Sequence, residues 1–242
     1  RGSYPAGMTT TPMPELARRA KQASRGLATA STSTKNAALL AAADALEKNT
    51  GSILAANAQD VSNAEGAGIA PGLVDRLRLD DGRISAMAGG LRQVATLPDP
   101  VGEVLDGWVR PNGLRISRVR VPLGVIAIIY ESRPNVTSDA AGLCLKSGNA
   151  AFLRGSSTAI HSNIAIAQVL RSAVSSVGLP EDSIILVEDS SREAAVEFMQ
   201  QRGFVDCLIP RGGPSLIQSI LENATVPYVI DGDGNCHVYV DK

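Results

Sequence analysis

Residues 121–155, VPLGVIAIIYESRPNVTSDAAGLCLKSGNAAFLRG, decide the fold. VIAIIY (125–130) is apolar throughout, rich in β-branched side chains and too short for a helix, so it reads as a strand buried on both faces. The turn Glu131, Ser132, Arg133, Pro134 and Asn135 follows, then a helix starting near Val136, then a second apolar run, AAFL (150–153). Further downstream SIILV (183–187), VDCLI (205–209) and PYVI (227–230) repeat the rhythm, most of them at helix-length intervals. Buried strands alternating with helices predict an α/β, Rossmann-like, mainly parallel sheet with helices on both faces.

Upstream the rhythm is different. From Pro12 to about Leu97 the chain is Ala-rich, with apolar residues at three- and four-residue steps such as Leu39, Leu40, Ala43 and Leu46, then Ile53, Leu54 and Ala58. That periodicity predicts helices. Asp80, Asp81 and Gly82 mark a further helix start, and Pro98, Asp99 and Pro100 its end. Residues 103–110 and 114–121 alternate apolar and polar side chains around Pro111, Asn112 and Gly113, the pattern of a β-hairpin. The expected division is therefore 1–7 as a remnant ahead of Met8, 8–100 as an N-terminal helical region, 101–121 as the hairpin and 122–242 as an α/β domain.

Composition narrows the function. Apolar residues make up 44% and charged ones 19% of 242, enough for a core that buries about 70% of the unfolded surface. Aromatics are only 3% and the formal charge is −1, so neither stacking platforms nor a basic track for nucleic acid is available. The longest nearly apolar run, 121–130, falls well short of the ~20 residues a membrane helix needs. No secretory signal pattern opens the sequence, and three widely spaced cysteines, Cys144, Cys207 and Cys236, argue for a reducing compartment, hence a cytoplasmic protein. The Asn-x-Thr sequons at Asn135 and Asn223 then carry no weight as glycosylation sites.

In an open parallel sheet, ligands bind beyond the carboxyl ends of the strands, so the turns after the apolar runs are the informative residues. One holds Arg154, Gly155, Ser156 and Ser157; another Arg211, Gly212, Gly213, Pro214 and Ser215. Glycine lets backbone N–H groups approach a phosphate, the following helix contributes a positive N-terminus, and arginine a forked cation. The plainer alternative is tight turns with solvated arginines; two such turns on one sheet edge favour a polyphosphate ligand. Neither a P-loop nor G-x-G-x-x-G is present. Asn135 is a candidate oxyanion donor, the alternative being a helix cap.

Near the end, Asp231, Asp233 and Asn235 imitate the start of a calcium loop, but Cys236 and Lys242 stand where Gly and a bidentate Glu belong. Cys236 and His237 are neighbours in an expected strand, project to opposite faces and do not form a nucleophile pair. Cys144 and Cys207 lie in apolar segments as core residues, and His161 has no partner at zinc-ligand spacing, so no metal is expected.

Taken together, 121–155, LIPRGG (208–213) and GNCHVYVD (234–241) closely resemble the γ-glutamyl phosphate reductase branch of the aldehyde dehydrogenase superfamily, over nearly all of the chain from Met8. The resemblance implies NADPH-dependent reduction of L-glutamyl 5-phosphate to the 5-semialdehyde with release of phosphate, in proline biosynthesis. It also implies a homo-oligomer at full length and glutamate 5-kinase as a channelling partner. Asn135 would be the oxyanion donor. Arg154 with Gly155 to Ser157 would replace the superfamily's Lys-Pro-Ser-Glu turn at the adenosine ribose, the arginine suiting a 2′-phosphate. Arg211 to Ser215 would hold the pyrophosphate or nicotinamide side. No Glu stands near Ile230, where hydrolytic relatives activate water, which suits a reductase.

The superfamily's nucleophilic cysteine lies one helix beyond 234–241, so the catalytic domain is expected to be absent and this chain alone to bind cofactor without turnover. A non-catalytic nucleotide-binding module and another acyl-reducing member, for example one acting on acyl-CoA, remain as alternatives. The common geometric expectation is that Asn135, Arg154 and Arg211 converge on one crevice with their donors aimed inward.

Overall fold

A computed structural model describes residues 11–230 and 238–240. Five helices come first: α1 (Met13–Ala28), α2 (Thr32–Lys48), α3 (Thr50–Gly66), α4 (Pro71–Leu77) and α5 (Asp81–Thr96). Their boundaries follow local chemistry. Ser31 caps α2 by accepting from the Thr34 N–H, Asp80 caps α5 by accepting from Arg83, and α4 opens on Pro71, where a missing N–H costs nothing.

The hairpin forms as β1 (Val104–Val109) and β2 (Arg115–Val119), antiparallel, closed by Gly113 at φ +83°. Its alternation does not mark a half-buried sheet. Both strands are exposed nearly throughout, so Val104, Trp108 and Val109 stand in solvent.

Then comes the sheet: β3 (Val125–Tyr130), α6 (Asn135–Lys146), β4 (Ala150–Arg154), α7 (Ile160–Ser176), β5 (Ile184–Leu186), α8 (Arg192–Phe198), β6 (Cys207–Arg211) and α9 (Pro214–Asn223). All pairings are parallel, in the order β5-β4-β3-β6. The chain moves outward from β3 through β4 to β5, then returns to the other side of β3 as β6. With right-handed crossovers, that reversal puts α6 and α7 on one face and α8 on the other. It also opens a crevice between the carboxyl ends of β3 and β6, the topological switch point.

Every residue of β3 and β4 is buried, as continuous apolar runs require. Helices α2, α3 and α5 pack on α6 and α7 rather than on the sheet, while α1 lies against β3, β4, β5 and α8. One apolar core runs from Met13 to Val226, so the helical region and the sheet share an interior. Two expectations shift. The fourth apolar run forms its strand two residues later, at Cys207–Arg211. PYVI (227–230) makes only an isolated parallel bridge, Leu208 to Tyr228, since Pro227 has no N–H to give a ladder. The Asp231–His237 turn reading and Cys236 lie outside the described residues.

Candidate functional site

A cavity of about 700 Å³ lies at the switch point, walled by Glu131, Ser132, Arg133 and Val136 after β3 and by Arg211, Gly212, Pro214 and Ile217 around the start of α9. Ser156, after β4, and Leu73 and Arg76, from α4, complete its rim. Register explains the gathering: Arg154 pairs across β3 with Ile129, and Arg211 with Tyr130. The two arginine backbones thus flank the end of β3, roughly 10 Å apart at ordinary strand spacing.

The turns are tied together by hydroxyls. Ser132 Oγ meets Thr158 Oγ1 at 2.7 Å, and Thr158 Oγ1 meets Ser156 Oγ at 2.6 Å. Ser156 also accepts from the Thr158 N–H at 3.1 Å, starting the turn into α7. Beneath them a buried chain runs from the Tyr130 hydroxyl to Thr137 (2.7 Å) and on to Asn163 (3.1 Å), and burial pushes the Tyr130 phenol up from its ordinary pKa.

Glu131 reaches across the crevice. Its Oε1 accepts from the Gly213 N–H, ahead of α9, at 3.1 Å. Gly212 permits this, because a Cβ there would stand 2.8 Å from both the Glu131 carboxyl carbon and Leu216 Cδ2. Around this seat Arg76, Arg133 and Arg211 make no ion pair or side-chain hydrogen bond among the described residues. A helix N-terminus without a side-chain cap, two glycines before it and three uncommitted guanidinium groups form a donor set that fits a phosphorylated ligand.

Of the three residues expected to converge, only Arg211 lines the large cavity. Arg154 is buried, and its Nη2 donates to the carbonyls of Ser190 (2.9 Å) and Ser191 (2.7 Å), not into the crevice. Asn135 lines a neighbouring cavity of about 410 Å³ with Arg76, Arg78, Arg83, Arg133 and Asp139. It is not the helix cap. Pro134 holds that position, and the Asn135 amide donates to Asp139 Oδ2 at 2.9 Å. Burial raises the Asp139 carboxyl above the usual range, more than this bond lowers it. Gly155, Ser157, Gly213 and Ser215 shape the turns without lining the large cavity, which Ser156, Arg211, Gly212 and Pro214 do.

Cys144 is buried and its thiol is pushed up to about 12, while burial and then the Asp206 charge raise Cys207, so neither is a poised nucleophile. His161 Nδ1 lies 2.7 Å from the buried Asp60, which also accepts from Ser162. Among the described residues no group of three His, Cys, Asp or Glu side chains gathers for a metal, and no helix is long and apolar enough to cross a membrane.

The sequence pattern of the Aldehyde dehydrogenase family matches residues 5–242. The chain belongs to the aldehyde dehydrogenase family. Among curated relatives of this family, the γ-glutamyl phosphate reductase of Caldanaerobacter subterraneus subsp. tengcongensis is 55% identical over 226 residues, covering 93% of this chain and 55% of the relative. That of Syntrophomonas wolfei is 56% identical, covering 94% and 54%. The crystal structure of γ-glutamyl phosphate reductase from Thermotoga maritima superimposes with a TM-score of 0.91 at 45% identity, covering 94% of this chain and 55% of that one. The chain thus spans about half the length of the relatives it matches.

Proposed function

We propose that this chain is the cofactor-binding part of a γ-glutamyl phosphate reductase, which reduces L-glutamyl 5-phosphate to L-glutamate 5-semialdehyde with NADPH and releases phosphate. The observation that carries the reading is the crevice at the β3–β6 switch point, with its uncapped helix N-terminus, Gly212 and uncommitted Arg211, in a chain more than half identical to enzymes of that name. Arg211, Gly212, Gly213, Pro214 and Ser215 hold the pyrophosphate side of the cofactor, the backbone N–H groups of α9 facing the charge. Gly155, Ser156 and Ser157 hold the adenosine ribose. That turn contains no carboxylate to repel a 2′-phosphate. Bound NADPH supplies the hydride that turns the acyl group into an aldehyde.

Asn135 donates to the acyl oxygen. Its amide nitrogen carries two hydrogens, one given to Asp139, so the other is free for the developing oxyanion while Asp139 keeps the amide from flipping. The nucleophilic thiolate comes from a further segment of the full-length protein. That protein is a cytoplasmic homo-oligomer to which glutamate 5-kinase delivers the unstable acyl phosphate.

Full-length protein tests the reading in the oxidative direction. NADP⁺ reduction that requires both glutamate 5-semialdehyde and inorganic phosphate is the expected result. Reduction that needs coenzyme A in place of phosphate would make the protein an acyl-CoA enzyme, and no reduction with cofactor still bound would leave a binding module.

A further inference from the structure

Two cavities meet at the crevice. The larger holds the cofactor turns, the smaller holds Asn135, and the residues lining both are Arg76 and Arg133. Arg76 comes from α4 in the helical region; Arg133 stands two residues before Asn135. The other arginines of the smaller cavity are already engaged. Arg78 pairs with Glu65 at 2.8 Å, and Arg83 with Asp75 at 3.3 Å and with the carbonyls of Asp75 and Arg78. Arg76 and Arg133 have no such partner among the described residues. Glu131 lines the larger cavity and Asp75 and Asp139 the smaller, but these carboxylates are given to the Gly213 N–H, to Arg83 and to the Asn135 amide, and none pairs with Arg76 or Arg133, so the two like charges favour an anion between them.

We propose that Arg76 and Arg133 are the seat of the substrate's phosphate group, apart from the turns that hold the cofactor's phosphates. The inference rests on the acyl-phosphate reading above and names the residues that hold its leaving group. The acyl oxygen and the phosphate are borne by one carbon, so their donors must be neighbours, as Asn135 and Arg133 are in sequence and in cavity. When the thiolate forms its bond to that carbon, the carbon–oxygen bond to phosphate breaks and phosphate departs with the electron pair. Two guanidinium forks receive that charge as it grows, and the same forks distinguish an acyl phosphate from an acyl group with an uncharged leaving group.

The test uses inorganic phosphate, titrated calorimetrically into the chain at saturating NADP⁺ so that the cofactor turns are already filled. The double substitution Arg76→Ala, Arg133→Ala is expected to weaken phosphate binding by at least about tenfold, with NADP⁺ affinity within about threefold of wild type. The Arg→Lys pair, which keeps charge but loses the fork, is expected to recover part of it. In full-length protein the KM for phosphate rises while that for NADP⁺ does not. No phosphate binding by the wild type, binding unchanged in the Ala pair, or a parallel loss of NADP⁺ would each overturn the assignment, the last by giving both arginines to the cofactor. The cofactor reading fails separately: Arg211→Ala with undiminished NADP⁺ binding would sink it and leave the anion seat standing.

Discussion

Arg154→Ala is expected to act mainly on stability. The guanidinium is buried at the end of β4, and one nitrogen donates to two carbonyls, those of Ser190 and Ser191. Ser191 also caps α8, accepting from Ala194 N–H at 3.2 Å, so the bonds fasten the start of that helix to the sheet. A hydrogen bond from a charged donor is worth about 1.5–3 kcal/mol, and two from a single nitrogen are less than additive, so truncation should cost about 2–4 kcal/mol. For a chain of this size that lowers Tm by roughly 5–15 °C. Thermal unfolding followed by circular dichroism measures it, with Arg154→Lys expected to recover about half, since an ammonium group keeps the charge and reaches one carbonyl. NADPH and NADH titrations run in parallel, and their ratio should change less than tenfold, because the Arg154 Nη2 is given to the carbonyls of Ser190 and Ser191. Unchanged Tm with a selective collapse of NADPH binding would refute the argument and show the guanidinium facing the 2′-phosphate.

Other outcomes follow from the same contacts. Asn135→Ala in full-length protein should lower kcat by about a hundredfold or more, measured in the oxidative direction; an unchanged kcat would leave Asn135 without a part in the chemistry. Gly212→Ala should displace Glu131 and open the turn before α9, weakening NADPH binding by about tenfold in a fluorescence titration. Burial pushes the Asp99 carboxyl up, but hydrogen bonds from Lys35 (2.8 Å), Thr32 and the Val101 N–H, with the Lys35 charge, outweigh it and hold the carboxyl below its ordinary value. Its stabilisation is therefore complete above the unfolded carboxyl's pKa and is lost as pH falls through the lower folded one. Asp99→Asn leaves Lys35, 1% exposed, without a counter-charge and should cost about 3 kcal/mol at pH 7 in denaturant unfolding, with a flatter dependence on acid below roughly pH 4.

Much of the architecture was legible because buried parallel strands announce themselves as apolar runs: 125–130 forms β3 without a shift, and β4 extends its run by one residue. VDCLI misled by two residues because burial continues through Pro210, which composition alone would count as a turn. PYVI has strand composition but no ladder of its own. The hairpin's alternation was read correctly as pairing, whereas its exposure depends on surroundings that periodicity does not report. At the site, the rule that ligands gather beyond strand ends points to the turns whose Ser156 and Arg211 line the large cavity. It could not say which way a side chain leans, and so missed that Arg154 serves Ser190 and Ser191. Arg76 and Leu73 left no local signal. They sit on α4, more than fifty residues before β3 ends, and α4 packs through Val74 and Leu77 on Val61 and Ala64 of α3 and on Ala159 ahead of α7, a small apolar cluster separate from the main core. Ser132 and Thr158 were likewise invisible as a pair until β3 and β4 were set side by side.

The central claim is that the β3–β6 crevice holds the dinucleotide. Hydrogen exchange of the chain with and without NADP⁺ tests it most directly. Slowed exchange confined to residues 131–136, 155–158 and 211–218 is the predicted outcome. Protection instead at 202–205 and 224–227, around the shallow cavity between the α8–β6 and post-α9 loops, or no protection anywhere, would contradict it.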